Sequence, residues 1–548
     1  MSVFVGATIG PIFQTLACAK KTRDLWNASY LFSYIMKQII KEMKKDREIE
    51  FIVPYVGDDF ETQAFIDNLF EKKSEVGLFH DRFIIEIKKQ NSCEMLKKVN
   101  NIYIEVVNKL AADLVKDNNE DKAKHFRQYL LEYINFHTVQ AEIDRSDNPI
   151  IEINNMLDCL ELHKTYVCES RDCNLSVKSY LDGTSKDADL SFFIKDGFEH
   201  PERFPALLDV ALNKLDEKKN QEKEQKIINQ ILSTFLNEEN GEKKVFDNLE
   251  AYRKEHSLIK PLYQPFQKYV AIVYVDGDKV GALIKSLVKE EEGKKVFNGR
   301  STKHFSKTLM TYAIAAKKCV EEKGGMPIYA GGDDLLFFAP VNRVLEIVED
   351  INGVFKNCFD NFSKNEGMEE SQLSLSFGIA IQYYKYPLKE ALELAQEQLF
   401  AKSKHYSNKC TGIDKAAVGI RVTKHSGQYF ELCVGHQNES YKQFLKLLKD
   451  SYNNQILKAI QYKLQQDKMI ISHIFEGSND EIIRLKLAAY FENNFDEEIH
   501  QIAGKEKIKA IQILMLEIYR ENKSALETIQ QTFSYLQYIR FMNGGLSE

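Results

Sequence analysis

Apolar and polar positions along the chain follow two different periods, and the first 150 residues switch between them. Val3 to Ile12 is a run of strand-forming residues, whereas Leu16 to Lys41 places apolar side chains three and four residues apart. The second spacing is that of an amphipathic helix. Strands that alternate with helices of this length are typical of a ferredoxin-like palm, so we predict a first palm-like domain over residues 1–150.

The same alternation returns in the second half of the chain. Residues 270–275, V-A-I-V-Y-V, are apolar and mostly β-branched, as in a buried strand. Leu373 to Ile381 predicts another core strand, and Leu388 to Phe400 predicts an amphipathic helix. We therefore predict a second palm over residues 266–435.

The remaining regions are irregular or wholly helical. Residues 151–265 include the charged run Glu217 to Lys226 and end near two prolines, which predicts a small α-rich intervening domain. From Ser440 onward the apolar spacing is helical, which predicts a helical domain over residues 436–548. A chain of 548 residues is too long for one core. The predicted fold class is α+β multidomain, with two ferredoxin-like palms, the intervening domain and the C-terminal helical domain.

Residues 328–337, I-Y-A-G-G-D-D-L-L-F, join two apolar runs through two glycines and two carboxylates. Glycine tolerates the positive φ that tight turns need, so we predict a hairpin with its turn at Gly331 and Gly332. Asp333 and Asp334 then stand at the start of the return strand. Their oxygens could bind divalent cations there.

A second acidic strand end lies at residues 270–281, where Asp276 and Asp278 follow the apolar run. A strand with D-x-D, a helical crossover and an acidic hairpin is the order found in palm-type nucleotidyl transferases. In such sites two Mg²⁺ or Mn²⁺ ions about 3.5–4 Å apart activate a 3′-hydroxyl and stabilise the leaving pyrophosphate. The alternative without a functional role is that these aspartates are solvated side chains at polar turns.

Other segments show a family resemblance. The chain resembles the large polymerase/cyclase-like subunit of type III-B (Cmr) CRISPR effector complexes, a family with a G-G-D-D palm. The segments that carry the resemblance are Ile9 to Ile35, L-F-H-D-R-F at Leu78 to Phe83, Ser374 to Ala395, and V-G-I-R-V-T-K-H-S-G-Q at Val418 to Gln428. The G-G-D-D motif alone is shared with diguanylate cyclases, but those carry Glu-Phe after the two glycines and do not fit the other segments.

The resemblance implies roles for residues at the matching positions. It implies catalytic carboxylates at Asp276, Asp333 and Asp334. The implied metal site comprises Asp276, Gly277, Asp278, Asp333 and Asp334. The implied nucleotide contacts are Gly331, Gly332, Lys279, Lys402 and Lys404. Glycines there would let the backbone approach the phosphates; for the two later lysines, the alternative is a solvated helix end.

The activity that the resemblance implies is target-RNA-activated joining of ATP by 3′–5′ phosphodiester bonds into a cyclic oligoadenylate messenger, with Mg²⁺ or Mn²⁺. The implied partners are the other subunits of the complex, guide RNA and target RNA. Two alternatives stay open: adenylyl transfer to another acceptor such as S-adenosylmethionine, and a catalytically silent scaffold. Many family members begin with an HD nuclease domain, whereas this chain opens on the palm-like signature. His80 and Asp81 lack an upstream histidine array, so we predict no nuclease activity.

Composition limits the modes of nucleic-acid binding and the cellular locations that suit this chain. The net charge of −7 argues against nonspecific nucleic-acid binding by the whole surface. Nine cysteines, an odd number, form no disulfide framework, and no apolar run is long enough for a membrane helix, so we predict a cytoplasmic protein without membrane contact.

A C-x3-H-x4-C-x4-C pattern in the intervening region could bind a zinc ion through thiolate and imidazole ligands. Its residues are Cys159, His163, Cys168 and Cys173. The alternative is that these four side chains bind no metal.

Overall fold

The computed structural model of the chain gives backbone and side-chain positions for most of its length. The residues that it describes are 2–57, 69–70, 73–87, 92–116, 119–144, 146–162, 177, 189, 191–198, 204–213, 223–235, 241–258, 261–291, 294–368, 372–408, 410, 412–450, 454–476, 479–495 and 501–544.

The first sheet has the strand order of a ferredoxin-like fold. Its strands run in the order β2-β3-β1-β4, and every neighbouring pair is antiparallel. Helices fill the connection from β1 to β2 and the connection from β3 to β4, which is the β-α-β-β-α-β pattern. The first predicted palm is therefore confirmed as a fold. Its elements are β1 (Ser2–Gly10), α1 (Ile12–Leu16), α2 (Thr22–Met43), β2 (Ile49–Val53), β3 (Arg82–Ile87), α3 (Ser92–Leu114), α4 (Glu120–Tyr133) and β4 (Asn135–Ile143).

The helix predicted from Leu16 to Lys41 is two helices in the structure. α1 ends at Leu16, and α2 begins at Thr22 after an extended Lys21. The Asp24 carboxylate accepts the backbone N–H groups of Lys20 at 3.2 Å and Lys21 at 2.9 Å. Side-chain acceptors at a helix start satisfy N–H groups that the helix itself leaves unpaired. The break therefore has a local polar cause that apolar spacing alone does not show.

The second sheet repeats that order and extends it. Its six strands run β14-β13-β10-β5-β9-β8, and β13 is parallel to β10 while the other pairs are antiparallel. The four strands β10-β5-β9-β8 correspond to β4-β1-β3-β2 of the first sheet, which confirms the second palm. The strands are β5 (Tyr269–Asp278), β8 (Met326–Gly331), β9 (Asp334–Pro340), β10 (Ser374–Tyr383), β13 (Ala417–Thr423) and β14 (Tyr429–Gly435).

The other elements of this palm cover or extend the sheet. The helix predicted from Leu388 to Phe400 is α-helical only to Glu397, after which a π-turn (Gln398–Lys402) and a 3₁₀ turn (Ser403–His405) follow. The remaining elements are α10 (Val280–Ser286), β6 (Val288–Glu291), β7 (Lys294–Phe297), α11 (Gly299–Glu322), α12 (Val344–Glu366), α13 (Leu388–Glu397), β11 (Ser407–Asn408) and β12 (Ile413–Asp414).

The two palms share a hydrophobic core. β5 alternates between two faces: Ala271 and Val273 belong to a core with α11 and α12, whereas Val270 and Ile272 pack into a core built mainly by α2 and β1 of the first palm. Such alternation is the consequence of the period-2 geometry of a strand. A backbone hydrogen bond of 3.1 Å from Ala330 N–H to the Gly77 carbonyl also joins the two palms. The first palm thus lies directly against one face of the second sheet.

The intervening region is α-rich where it is described. Its first helix, α5, packs on the first sheet through Ile150, Ile153 and Leu157. The predicted domain boundary at residue 150 falls inside this helix, and the domain boundaries stay predictions. The helices are α5 (Pro149–Glu161), α6 (Phe192–Gly197), α7 (Leu207–Ala211), α8 (Lys223–Phe235) and α9 (Gly241–Glu255); a 3₁₀ turn (Pro265–Lys268) precedes β5.

Every regular element described after Gly435 is a helix, which confirms the helical C-terminal domain. Its aromatic side chains Tyr441, Phe444, Tyr535 and Tyr538 are buried in the core of the second palm. Across the described chain, no helix has both the length and the apolar composition needed to cross a bilayer. The six helices are α14 (Glu439–Lys449), α15 (Asn454–Gln466), α16 (Lys468–Phe475), α17 (Asp480–Asn494), α18 (Gln501–Asn522) and α19 (Ala525–Met542).

Candidate active site

The acidic hairpin is a two-residue turn between β8 and β9. Gly331 pairs directly with Asp334, so Gly332 and Asp333 form the turn. Gly332 has a φ of 64°, the sign that a type II′ turn needs at its first central residue. The turn therefore lies one residue later than the predicted Gly331–Gly332 turn, because one glycine with positive φ is enough. Asp333 belongs to the turn, and only Asp334 starts the return strand.

Both glycines of the hairpin lie against other side chains. A Cβ on Gly331 would collide with the ring of Tyr329, and a Cβ on Gly332 would collide with the imidazole of His80. Burial lowers the pKa of His80 to about 4, so this imidazole is neutral near pH 7. Packing thus requires glycine at both positions, and their predicted contact with phosphate stays a prediction.

The three carboxylates that were predicted to be catalytic meet in the structure. Asp276 lies near the end of β5, beside the hairpin strand β9. Ligand oxygens of Asp276, Asp333 and Asp334 all lie within 4.8 Å of one another. Asp334 is exposed, and the other two are half-buried. Carboxylate oxygens are the ligands that Mg²⁺ and Mn²⁺ prefer, so this trio suits a divalent cation.

The electrostatics of the trio also fit a cation. Desolvation, followed by repulsion from Asp276, raises the pKa of Asp333 to about 6 against the opposing charge of Lys404. Desolvation in the cleft, followed by repulsion from Asp333 and Asp276, raises the pKa of Asp334 well above its ordinary value. Three carboxylates held this closely destabilise each other's ionised forms. A bound divalent cation would relieve that repulsion.

Asp278 has a different environment from the trio. Its side chain is fully buried, and it lies outside the group of carboxylates that could share one cation. Its oxygens accept hydrogen bonds from Ser374 Oγ at 2.8 Å, Ser376 Oγ at 2.8 and 3.1 Å and the Ala416 N–H at 3.1 Å. These partners occupy both carboxylate oxygens. The geometry therefore makes Asp278 a buried anchor, and its predicted role as a metal ligand has no support in the contacts.

Lys404 lies behind the strand end and faces carboxylates. Its Nζ is 2.7 Å from Asp276 Oδ2 and 2.8 Å from Asp278 Oδ1. It also donates to the carbonyl oxygens of Asp276 at 3.0 Å and Gly277 at 2.7 Å. The side chain is only 12% exposed, so the ammonium is committed to these four oxygens. Gly277 was predicted as part of the metal site, and its carbonyl oxygen accepts a hydrogen bond from this lysine.

The other predicted residues are exposed or partly exposed where they are described, and three of them lie outside the described chain. Lys279 is exposed and has a left-handed backbone with a φ of 63°. The Nζ of Lys402 is 3.6 Å from Glu431 on β14, and its side chain is 44% exposed. Cys159 is exposed on α5. His163, Cys168 and Cys173 lie outside the described residues, so the zinc site stays a prediction.

A cavity of about 830 Å³ lies between the palms, and two carboxylates of the trio, Asp276 and Asp334, line it. The second palm contributes Asp276 and Asp334 to its wall, together with apolar side chains from β5, β9 and the π-turn. The first palm contributes the end of β1, part of α2 and the start of β4. The polar or titratable wall residues outside the second palm are Thr8, Gln14, Ser29, Ser33, Asp81, Tyr133, Asn135 and His137 of the first palm and Glu161 at the end of α5.

Sequence reasoning missed the first-palm side of this cavity. Asp81 lies in the L-F-H-D-R-F segment, where the sequence analysis considered it only as part of a possible nuclease motif with His80. Glu161 ends an amphipathic helix and carries no motif. Phe13, two residues after Pro11, lines the cavity and is exposed, but the exposure of a single aromatic residue cannot be deduced from the sequence.

Acidic side chains at the end of a central strand and in the adjoining hairpin of a ferredoxin-like sheet define a palm of the nucleotidyl cyclase-like class. Comparison with protein-family models agrees with this class and gives a more specific family match. Residues 269–411 match the model for the Cas10/Cmr2 second palm domain, and residues 4–114 match the model for the N-terminal part of the CRISPR-associated protein Cmr2. Two separate parts of the chain are thus similar to domains of the Cas10/Cmr2 family.

Individual relatives show the same likeness. Over 296 residues the chain is 29% identical to the CRISPR system Cmr subunit Cmr2 of Pyrococcus furiosus, a stretch that is 50% of this chain and 31% of that protein. The match thus spans less than a third of that curated relative. The type III-B Cmr-beta apo structure has a TM-score of 0.59 at 13% identity and covers 90% of this chain and 77% of its own. The same complex bound to cognate target RNA has a TM-score of 0.55 at 12% identity, with 95% and 83% covered. These structures show a shared fold.

Proposed function

We propose that this protein is a metal-dependent nucleotidyl transferase that moves an adenylyl group from ATP to the 3′-hydroxyl of an acceptor. The observation that carries the proposal is that the carboxylates of Asp276, Asp333 and Asp334 converge, and that Asp276 and Asp334 line a cavity of about 830 Å³. This volume falls in the upper part of the range of ligand pockets, which is about 300–1,000 Å³. The cavity is therefore large enough for nucleotide substrates beside the carboxylates.

The chain's own residues have separate tasks in this reaction. Asp276, Asp333 and Asp334 would hold Mg²⁺ or Mn²⁺, which when bound neutralises the triphosphate and the leaving pyrophosphate. Lys404 and Asp278 fix the end of β5, so that Asp276 keeps its orientation toward the hairpin. The apolar wall residues Leu335 and Leu336 limit access of water to the reacting groups.

The proposed setting is a type III CRISPR effector complex in the cytoplasm. The matches to two domain models of the Cas10/Cmr2 family support this proposal, as do the curated relative's description as a Cmr subunit and the fold shared with a target-bound Cmr-beta complex. We propose that the other subunits and guide RNA are its partners and that pairing with target RNA switches on the transfer. With a second ATP as acceptor, repeated transfer and closure would give a cyclic oligoadenylate messenger.

A catalytically silent scaffold is the competing function. A catalytically inactive palm would not need carboxylates at both the strand end and the hairpin. In this chain both sets are present, and their oxygens lie close enough together to bind one cation. The mutual repulsion of these groups is a cost that a scaffold would have no reason to keep. The site geometry therefore favours the enzyme.

The test is the double variant Asp333→Ala/Asp334→Ala in a reconstituted complex supplied with ATP, Mn²⁺, guide RNA and matching target RNA. We expect nucleotide product to fall by at least about 10³-fold, because the groups that stabilise transition-state charge are lost. Complex size and target binding should stay unchanged. The matched control is Asp350→Ala, an exposed aspartate paired with Lys323 on the same palm.

Either of two results would decide against the proposal. Product formation by the double variant at the wild-type rate would remove the carboxylate site from the reaction. Absence of any nucleotide product from a wild-type complex that has bound its target RNA would favour the scaffold.

A further inference from the structure

The K-H-S-G-Q segment at residues 424–428 has no part in the candidate active site. It forms the loop that joins β13 to β14. The Lys424 N–H donates to the Gln428 carbonyl at 2.7 Å, and the Gly427 N–H donates to the Lys424 carbonyl at 2.9 Å. Gly427 has a φ of 82°, which glycine adopts without strain. These two bonds close the loop on itself, so its side chains project from a defined backbone.

The loop lies at the end of the second sheet that is farther from the carboxylate trio. The His425 N–H donates to the hydroxyl oxygen of Tyr269 at 3.1 Å, and Tyr269 is the first residue of β5. Asp276 lies seven residues later in the same strand, which corresponds to about 23 Å. A ligand of the loop would therefore occupy a site separate from the cavity between the palms.

Two cationic side chains meet beside this loop. Desolvation, followed by repulsion from the Arg540 guanidinium, lowers the pKa of Lys424. Arg540 lies in the last turn of α19, and desolvation lowers its pKa as well. Neither side chain forms an ion pair with a carboxylate in the described part of the chain. An anion bound between them would relieve the repulsion of two like charges.

The guanidinium of Arg540 is held in place and keeps donors available. One of its terminal nitrogens donates to Gln461 Oε1, and Gln461 Nε2 in turn donates to the Phe533 carbonyl at 3.2 Å. The Nε of Arg540 is buried and has no hydrogen-bond partner among the described residues. The next residue, Phe541, packs edge-on against Tyr269 with ring centroids 5.1 Å apart, which fixes the end of α19 near the loop. A planar fork of N–H donors matches the oxygens of a phosphate.

An exposed ring lies next to the two cations. The imidazole of His425 is exposed and lies parallel to the ring of Tyr383, with centroids 4.4 Å apart and an interplanar angle of 3°. Tyr383 packs in turn against Tyr269, at 5.8 Å between centroids. The tyrosines therefore support the imidazole as a flat surface. Unpaired bases of nucleic acids stack on aromatic and histidine rings of this kind.

We propose that the loop at residues 424–428 and the end of α19 form a binding site for single-stranded nucleic acid. Lys424 and Arg540 bind a backbone phosphate, and His425 stacks on the adjacent base. The ring favours a nucleic acid over a free phosphate, because a free phosphate would contact only the cations. Phosphates and the flat faces of bases are common to all sequences, so the site binds without sequence preference. This site is additional to the proposed nucleotidyl transfer and does not depend on it.

The experiment measures the affinity of the full-length chain for a short fluorescent oligouridine RNA by anisotropy, in EDTA and over a series of KCl concentrations. Lys424→Gln should weaken binding by at least about tenfold, because a charge-assisted hydrogen bond to phosphate is lost. The slope of log affinity against log salt should become shallower by about 0.7, the value for one phosphate contact on a single strand. A smaller fraction of folded protein would not change that slope.

A matched control removes the same charge elsewhere. Lys442 is exposed on α14 and lies 3.3 Å from Glu439. Lys442→Gln should keep the RNA affinity within about twofold of wild type and leave the salt slope unchanged, because this lysine already has an exposed carboxylate partner.

Two further variants separate the fork and the ring from plain charge. Arg540→Lys keeps the charge and loses the planar fork, so it should weaken binding and leave the salt slope unchanged. His425→Ala should weaken binding by at least about fivefold, and His425→Phe should restore it, because the stacking surface returns. Inorganic tripolyphosphate at the same phosphate concentration should fail to displace the RNA.

Three results would overturn the inference. Wild-type affinity and salt slope in Lys424→Gln would show that the loop does not contact RNA. Complete displacement of the RNA by tripolyphosphate would make this a site for free phosphate. If Lys424→Gln kept its RNA affinity but no longer joined a reconstituted complex, the two cations would bind an acidic surface of a neighbouring subunit.

Discussion

The two palms have one strand order but differ at the positions where chemistry would take place. The central strand of the first palm ends at Gly10, which Pro11 follows, whereas the corresponding strand of the second ends with Asp276 and Asp278. The first palm joins β2 to β3 through the 28 residues 54–81, whereas the second joins β8 to β9 through two. The fold therefore supplies equivalent strand ends twice, and only one of them carries the carboxylates for metal chemistry.

The difference assigns the palms complementary roles. The second palm holds the three carboxylates of the candidate metal site, and the first palm builds the opposite wall of the cavity with the end of β1, α2 and the start of β4. Their common core around Val270 and Ile272 fixes the wall relative to the carboxylates. A palm with no acidic residue at its strand end can thus still contribute to the site, because its side chains form part of the cavity wall opposite the carboxylates.

The largest effect is expected when the second palm is made to resemble the first at its strand end. Asp276→Asn removes one charge from the trio and leaves its shape, so we expect product formation to fall by at least about 10³-fold. Affinity for Mn²⁺, measured by electron paramagnetic resonance, should fall with it because a carboxylate ligand has been lost. The rate is measured by chromatography of nucleotide products.

The control for this change is Asp350→Asn, which alters an exposed aspartate of the same palm that pairs with Lys323. Its rate and its Mn²⁺ affinity should match those of the wild type. If Asp276→Asn kept both within tenfold of wild type, the acidic strand end would not be what distinguishes the palms.

The sequence predicted which second-palm residues lie at the candidate site, but it did not predict the residues on the opposite side of the cavity. Asp276, Asp333 and Asp334 lie at strand ends in a recognisable order, and the strand pairing brings them together. Asp81 and Glu161 come from a loop and a helix end that meet only through the packing of α5 on the first sheet. No local period or motif encodes such a meeting, because it depends on contacts between residues far apart in the chain.

Asp278 shows a second limit of sequence reasoning. In the sequence it is equivalent to Asp276, since both belong to one D-x-D motif. In the structure Ser374 and Ser376 of β10 bind its carboxylate, and it is buried while Asp276 faces the cavity. The motif gave the two aspartates one predicted role, and the neighbouring strand gives them two different environments.

The buried ion pair of Lys404 and Asp278 at the end of β5 leads to a prediction of intermediate magnitude. Lys404→Met leaves the buried Asp278 carboxylate without its charge partner, so we expect the free energy of unfolding of this palm to fall by about 3–5 kcal/mol. Hydrogen exchange of the β5 amides reports the loss locally, because exchange there requires opening of the sheet. The strand end of the first palm, by contrast, has no acidic residue that would need such support.

Lys402→Met is the matched control, two residues away. Its ammonium is 3.6 Å from Glu431 and its side chain is 44% exposed, so the pair is solvent-screened and worth at most about 1 kcal/mol. Protection of β5 should hardly change. Equal losses from the two lysine variants would mean that the Lys404–Asp278 pair has no special role in holding the strand end.

The smallest effect concerns the two-residue hairpin that sets β8–β9 apart from the long β2–β3 connection. Gly332→Ala places a Cβ on a residue with a φ of 64°, at a cost of about 1–2 kcal/mol. The new Cβ would also collide with the His80 imidazole. We expect a lower midpoint of chemical denaturation for this palm, and lower activity because Asp333 shares the turn.

Gly353→Ala on α12 separates a glycine effect from a hairpin effect. Its Cβ would meet open space in the middle of a helix, so this change should stabilise the protein by up to about 1 kcal/mol. Adding His80→Ala to Gly332→Ala should restore the part of the loss that comes from the collision and leave the part that comes from the backbone. If Gly332→Ala were no more harmful than Gly353→Ala, the tight turn would not be what holds Asp333 beside Asp276, and the contrast with the first palm would rest on the carboxylates alone.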